Sequence, residues 1–152
     1  MNMEFVRLLA ERGDDVERLL TDLKRIEHEL KQKVRELQEL VNADRPDVSA
    51  YTASRGRLTQ TSVHVVQVAA EDLLFHINTS ITQHGWDIDF DIPRQTDYSR
   101  LSAYLERRGI AFADRERYGF VYPRRFPYDE DLGRISPVVQ GLVDNLVAES
   151  PE

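Results

Sequence analysis

The longest regular pattern in the chain is a heptad repeat of apolar residues in the first third of the sequence. From residue 16 to residue 40, apolar side chains fill seven of the eight core positions of the repeat, and Lys33 takes the eighth. The seven are Val16, Leu19, Leu23, Ile26, Leu30, Leu37 and Leu40. This spacing is typical of a coiled-coil helix. We predict that these residues form an interface, because a helix with a narrow apolar stripe is only marginally stable in water without a partner.

The residues around this repeat indicate where the long helix begins and ends. Residues 3–11 are expected to form a short helix that ends near Gly13, and Asp14 or Asp15 can then cap the long one. Pro46 prevents continuation, and residues 47–57 are small and polar, as in a connector. We therefore predict a helical, coiled-coil arm over residues 1–46 and a small α+β domain over residues 47–152.

A second apolar pattern follows the connector. Seven apolar residues between positions 63 and 81 repeat at about 3.6 residues, which predicts a second long helix over residues 59–83. Further apolar residues fall on its opposite side, so we expect a central helix that is covered on two sides. The alternative is a strand in the segment 63–68, because valine is abundant there.

The last third of the chain predicts shorter elements. Apolar residues and aspartates alternate in a strand over 86–92, followed by a helix over 97–108 and a β-hairpin over 110–122. A last helix is expected over 137–148, with Ser136 as its cap. The predicted fold class is therefore α+β. In it, a long N-terminal coiled-coil-like helix packs on a second long helix, followed by a small three-stranded sheet with two further helices.

Composition and charge narrow the chemistry. The chain has 152 residues, is 41% hydrophobic and 31% charged, and carries a net charge of −7, which disfavours general affinity for nucleic acid or acidic membranes. It has no cysteine, so disulfides, thiolate metal sites and cysteine nucleophiles are excluded. Its first residues are too charged for a signal peptide, and no apolar stretch is long enough to cross a membrane. We expect a cytoplasmic protein without a membrane partner.

Two groups of acidic and histidine side chains are candidates for metal binding. Asp87, Asp89 and Asp91 share one face of the predicted strand, either as metal ligands or as a solvated face that protects an edge strand. Asp72 and His76 are four residues apart, on one side of the predicted central helix. Asp72, His76, Asp87 and Asp89 are thus the weak candidates for a metal-dependent hydrolase. The sequence contains none of the common catalytic motifs, so we expect no cofactor, and a non-enzymatic role is favoured over an enzymatic one.

Arginine and aromatic residues alternate in the predicted hairpin and after it. Such a surface can bind phosphates and stack bases, and a helix followed by this hairpin resembles the recognition helix and wing of a winged-helix domain. The candidate nucleic-acid-binding residues are Arg107, Arg108, Arg115, Arg117, Arg124 and Arg125.

These features together predict a non-enzymatic protein–protein interaction module that oligomerises through its long helices. The expected partner is a second copy of the chain, in a dimer or larger assembly, or another helical protein. The first alternative is a dimeric nucleic-acid-binding regulator with the winged-helix-like hairpin. The second alternative is the metal-dependent hydrolase.

Overall fold

The computed structural model describes residues 3–42, 49–57, 60–82, 84–115 and 118–147. Within these residues the elements are α1 (Met3–Asn42), β1 (Ser49–Arg57), β2 (Gln60–Ala70), β3 (Leu73–Thr82), β4 (Gly85–Asp91), a 3-10 turn (Gln95–Asp97), α2 (Tyr98–Arg107), β5 (Ala113–Asp114), β6 (Gly119–Val121) and α3 (Leu132–Val147). The six strands form one antiparallel sheet in the order β1-β2-β3-β4-β6-β5. The predicted α+β class and the long N-terminal helix are confirmed.

The predicted second long helix over residues 59–83 is wrong, because this segment forms the hairpin of β2 and β3. Ala70 pairs with Leu73, and the two residues between them, Glu71 and Asp72, both have positive φ, at 53° and 63°. Positive φ at both central residues is what a two-residue hairpin turn of type I′ requires. The helical spacing is misleading here because β2 has buried residues on both faces, including Val65 and Val66, so its apolar residues do not alternate strictly.

The predicted polar connector over residues 47–57 is also corrected, since Ser49–Arg57 is strand β1. Its sequence contains few apolar residues and shows no apolar–polar alternation. The strand is instead defined by backbone pairing with β2, in which Tyr51 is opposite Val65. Pairing with a neighbouring strand therefore determines the conformation of this segment, which its own composition does not indicate.

Three of the later elements are confirmed: the strand over 86–92 is β4, the helix over 97–108 is α2, and the hairpin over 110–122 contains β5 and β6. The three strands predicted for the sheet are therefore present but are joined by three more. Since β4 lies between β3 and β6, its aspartates do not protect an edge strand.

Helix α3 begins at Leu132, five residues before the predicted start at Pro137. Asp131 caps it, because the Gly133 amide donates a hydrogen bond of 2.9 Å to the Asp131 carboxylate. The earlier start also buries Ile135 completely. Pro137 lies inside the helix, where it removes one backbone donor, and Ser136 is buried rather than acting as the cap.

The core lies between one face of the sheet and the helices. It joins the second half of α1, with Val34 and Leu37, to sheet residues such as Val66 and Phe90 and to α3. Helix α1 therefore packs on β2 and α3, and not on a second long helix as predicted. The division of the chain at residues 46 and 47 stays a prediction, although residues on both sides of it contribute to this core.

Candidate interaction surface

Helix α1 contains two parts with different surroundings. We call residues 3–29 the arm and residues 30–42 the anchored half. In the anchored half, Leu30, Val34, Leu37 and Val41 are buried in the core. In the arm, by contrast, every residue is exposed or only half-buried in the described structure. At the boundary between the two parts, the body of the protein, by which we mean the sheet with α2 and α3, stops covering the helix.

The apolar stripe nevertheless continues from the anchored half into the arm. On an α-helix, Leu19, Leu23 and Ile26 project to the same side as Leu30 and Leu37, because they follow the same heptad positions. Leu19 has 59% of its surface exposed and Ile26 has 42%, whereas Leu37 has none. Leu20, beside the stripe, is 54% exposed. A long apolar strip is therefore left in water, which is unusual for a monomeric protein.

The first ten residues of the arm add a second apolar segment. Met3 and Phe5 are exposed, as are Val6, Leu8 and Leu9. The helix is not regular at Arg12, where φ is −131° and ψ is 24°. The helix end predicted near Gly13 thus corresponds to a kink at Arg12, which separates two helical segments of α1.

The predicted interface residues are therefore separated by the fold. Leu30 and Leu37 are covered by the rest of the same chain, and Leu40 is exposed at the far end of α1. The remaining four, which are half-buried or exposed in the arm, are Val16, Leu19, Leu23 and Ile26. Lys33, the charged residue in the repeat, lies against Tyr128. Its Nζ is 4.2 Å from the centre of that ring and donates a hydrogen bond of 3.4 Å to the Tyr128 carbonyl oxygen.

The aspartates of β4 belong to a polar network on the sheet face opposite the helices. Asp87 accepts two hydrogen bonds from Arg125, of 2.6 and 2.9 Å. Asp89 is buried, forms an ion pair with Arg115 and accepts a hydrogen bond of 2.9 Å from Asn78. Burial raises the pKa of Asp89, while Arg115 and Asn78 act in the opposite direction. These carboxylates are thus used within the chain to hold loop arginines against the sheet.

The four weak metal candidates do not converge. Asp72 is in the β2–β3 turn, six residues before Asn78, which is the neighbour of Asp89 in the sheet. Because six residues of strand span about 20 Å, Asp72 lies far along the sheet from Asp89. His76 lies opposite Asp91 in the register of β3 and β4, and not opposite Asp87 or Asp89. Among the described residues, no group of three or more His, Asp or Glu side chains could hold a metal ion. The predicted arrangement of Asp72 and His76 depended on a helix that does not form.

Most of the candidate nucleic-acid-binding arginines in the described chain have partners of their own. Arg115 and Arg125 pair with the β4 aspartates, and Arg107 forms an ion pair of 2.6 Å with Glu71. Arg108 lies over the Tyr104 ring at 5.3 Å and Arg124 over Phe126 at 4.8 Å. Arg117 is outside the described residues. The hairpin of β5 and β6 is part of the sheet, since β6 pairs with β4.

Several buried polar residues on β2 and β3 are not predicted from the sequence, and His64 is the most deeply placed titratable group among them. His64 is completely buried on β2, opposite Thr79 of β3, and burial lowers its pKa to about 4. Neither ring nitrogen of His64 has a hydrogen-bond partner in the described part of the chain, and the same holds for the Thr79 hydroxyl. The valines on both sides of His64 are the feature of the sequence that indicates a buried strand position.

Within the described residues, no helix is both long and apolar enough to cross a membrane. Comparisons with protein-family models, with curated proteins and with solved structures found no match to this chain.

Proposed function

We propose that the protein is a non-enzymatic assembly module that associates with a helix of another molecule through the arm of α1. One observation supports this most strongly: the apolar stripe runs through both halves of α1, but the stripe residues that the rest of the chain buries, Leu30 and Leu37, lie only in the second half. Removing a large apolar side chain from water contributes about 1.5–3 kcal/mol when burial is complete. Several such side chains in a row, as in the arm, provide a driving force for association.

The arm has the length that helix pairing requires. Its residues 13–29 follow the kink and cover about 25 Å at 1.5 Å per residue. Leu19, Leu23 and Ile26 repeat at heptad spacing over this length, so a second helix can pack along them with side chains interdigitated.

The test uses the full chain and a synthetic helical peptide. The peptide has four heptads, Leu at both core positions, and equal numbers of Lys and Glu beside them. Sedimentation velocity measures self-association of the chain and its binding to the peptide. We expect the wild type to associate with itself or with the peptide. The double variant Leu19→Asp with Leu23→Asp should lose at least about tenfold in affinity for the same partner, because it places charges in the apolar contact.

Leu74→Asp is the matched control, since Leu74 is 49% exposed on β3, next to Leu73, whose side chain is buried in the core. It should associate like the wild type. Equal association of the arm variant and the wild type would contradict the proposal. So would a wild-type chain that neither self-associates nor binds the peptide.

A further inference from the structure

The charged residues beside the apolar stripe of the arm are all acidic. In a two-stranded helical pair, the positions flanking the core face the partner helix. In the arm these positions hold Asp15, Asp22 and Glu29 on one side, and Leu20 and Glu27 on the other. The basic residues of this segment, Arg18, Lys24 and Arg25, fall at the outer positions of the repeat.

The structure leaves these carboxylates accessible to a partner. Asp22 pairs with Arg25 at 3.3 Å and Glu27 with Lys31 at 3.0 Å, both along the same helix and with acidic side chains that are 46% and 44% exposed. Such exposed pairs are weak and can rearrange when another cation approaches. Lys33, the basic residue within the repeat itself, is directed to Tyr128 and away from the arm.

A second copy of the arm does not match this charge pattern. In a parallel pair, Asp22 would lie opposite Glu27 of the other copy. In an antiparallel pair, the row of Asp15, Asp22 and Glu29 would face itself. Both arrangements place carboxylates against carboxylates, and charges at these positions control which helices pair.

We infer that the arm binds an amphipathic helix of a different protein, whose apolar stripe is flanked by Lys or Arg. This inference rests on the proposed function and identifies the partner by its charge. The apolar stripe supplies most of the affinity, and the acidic flanks select a basic helix over a second copy of the chain.

The test uses two synthetic peptides with the same four-heptad leucine core, one with Lys and one with Glu at all flanking positions. Fluorescence anisotropy measures their binding to the full chain at low and high salt. We expect the basic peptide to bind at least about tenfold tighter than the acidic one at low salt. The difference should shrink as salt rises.

Charge reversal provides the matched comparison. The variant Asp22→Lys with Glu27→Lys changes two flanking residues and should shift the preference towards the acidic peptide by about tenfold. The control, Asp14→Lys with Glu17→Lys, changes the net charge by the same amount at outer positions and should keep the preference for the basic peptide. A gain of binding to the acidic peptide cannot result from unfolding.

The outcomes separate this inference from the proposed function. The inference of a basic partner helix would be wrong if the wild type bound the two peptides with equal affinity. It would also be wrong if the wild type formed a homodimer that neither peptide dissociates. Either result would leave the proposed assembly role intact. If the reversed variant and its control behave alike, the flanks do not select the partner and the inference is wrong. Absence of both self-association and peptide binding would remove both proposals.

Discussion

The two halves of α1 carry one apolar pattern but have different surroundings. In the anchored half, Val34 and Leu37 are buried against the sheet and α3. In the arm, Leu23, which has the heptad position of Leu37, is only half-buried, and Leu19 and Ile26 of the same apolar stripe are exposed. The comparison shows that a heptad pattern specifies which face of a helix will be covered, but not what covers it. Here the body of the protein covers one half, and we propose that another molecule covers the other.

Substituting one leucine in each half of α1 should give the largest difference in the free energy of unfolding. Leu37→Ala should lower the free energy of unfolding by about 2–5 kcal/mol, because it leaves a cavity in the core. Leu19→Ala should change it by less than about 0.5 kcal/mol, because the side chain is largely exposed in the single chain.

Urea denaturation of the dilute protein measures both variants. Similar losses at the two positions would break the comparison, since they would mean that Leu19 is already packed.

A second prediction concerns the body that anchors α1. The pKa of His64 is about 4 in the fold and about 6.5 in the unfolded chain. The unfolded state therefore binds the proton first as the pH falls. Stability should decrease between about pH 6.5 and pH 4 by up to about 3 kcal/mol from this residue alone.

The measurement is the difference in unfolding free energy between the wild type and His64→Leu at each pH. Other titrating groups, such as Asp89, change the stability in the opposite direction, but they are present in both proteins and therefore cancel in this difference. The difference should change steadily below pH 6.5, and a constant difference over the whole window would show that His64 titrates normally in the fold.

The sequence predicts the elements whose pattern depends only on local spacing. The long helix, β4, α2 and the hairpin over 110–122 are predicted because apolar residues recur in each at the spacing of a helix or a strand. The hairpin of β2 and β3 was mistaken for a helix because residues on both faces of β2 are buried. Its turn also lacks the usual Gly or Asn, having Glu71 and Asp72 at positive φ. β1 was missed because its conformation depends on pairing with β2 and not on its own composition.

The candidate surface was predicted only in part, for a related reason. The heptad identifies Val16, Leu19, Leu23 and Ile26 correctly as apolar residues of one helix face. It does not distinguish them from Leu30 and Leu37, because that difference depends on which part of α1 contacts the sheet and α3. The pairing of Asp89 with Arg115 likewise depends on residues distant in sequence, which are brought together by the sheet.

Amide hydrogen exchange of the full chain, at a concentration where it is monomeric, distinguishes an arm whose stripe is left in water from one that is already covered. Residues 30–42 should be strongly protected, because opening them requires disruption of the core. Residues 13–29 should exchange at least about 100-fold faster, since an isolated helix of this length is marginal in water. Equal protection along residues 13–42 would contradict an uncovered arm, because it would show that the stripe of the arm is already covered within one chain.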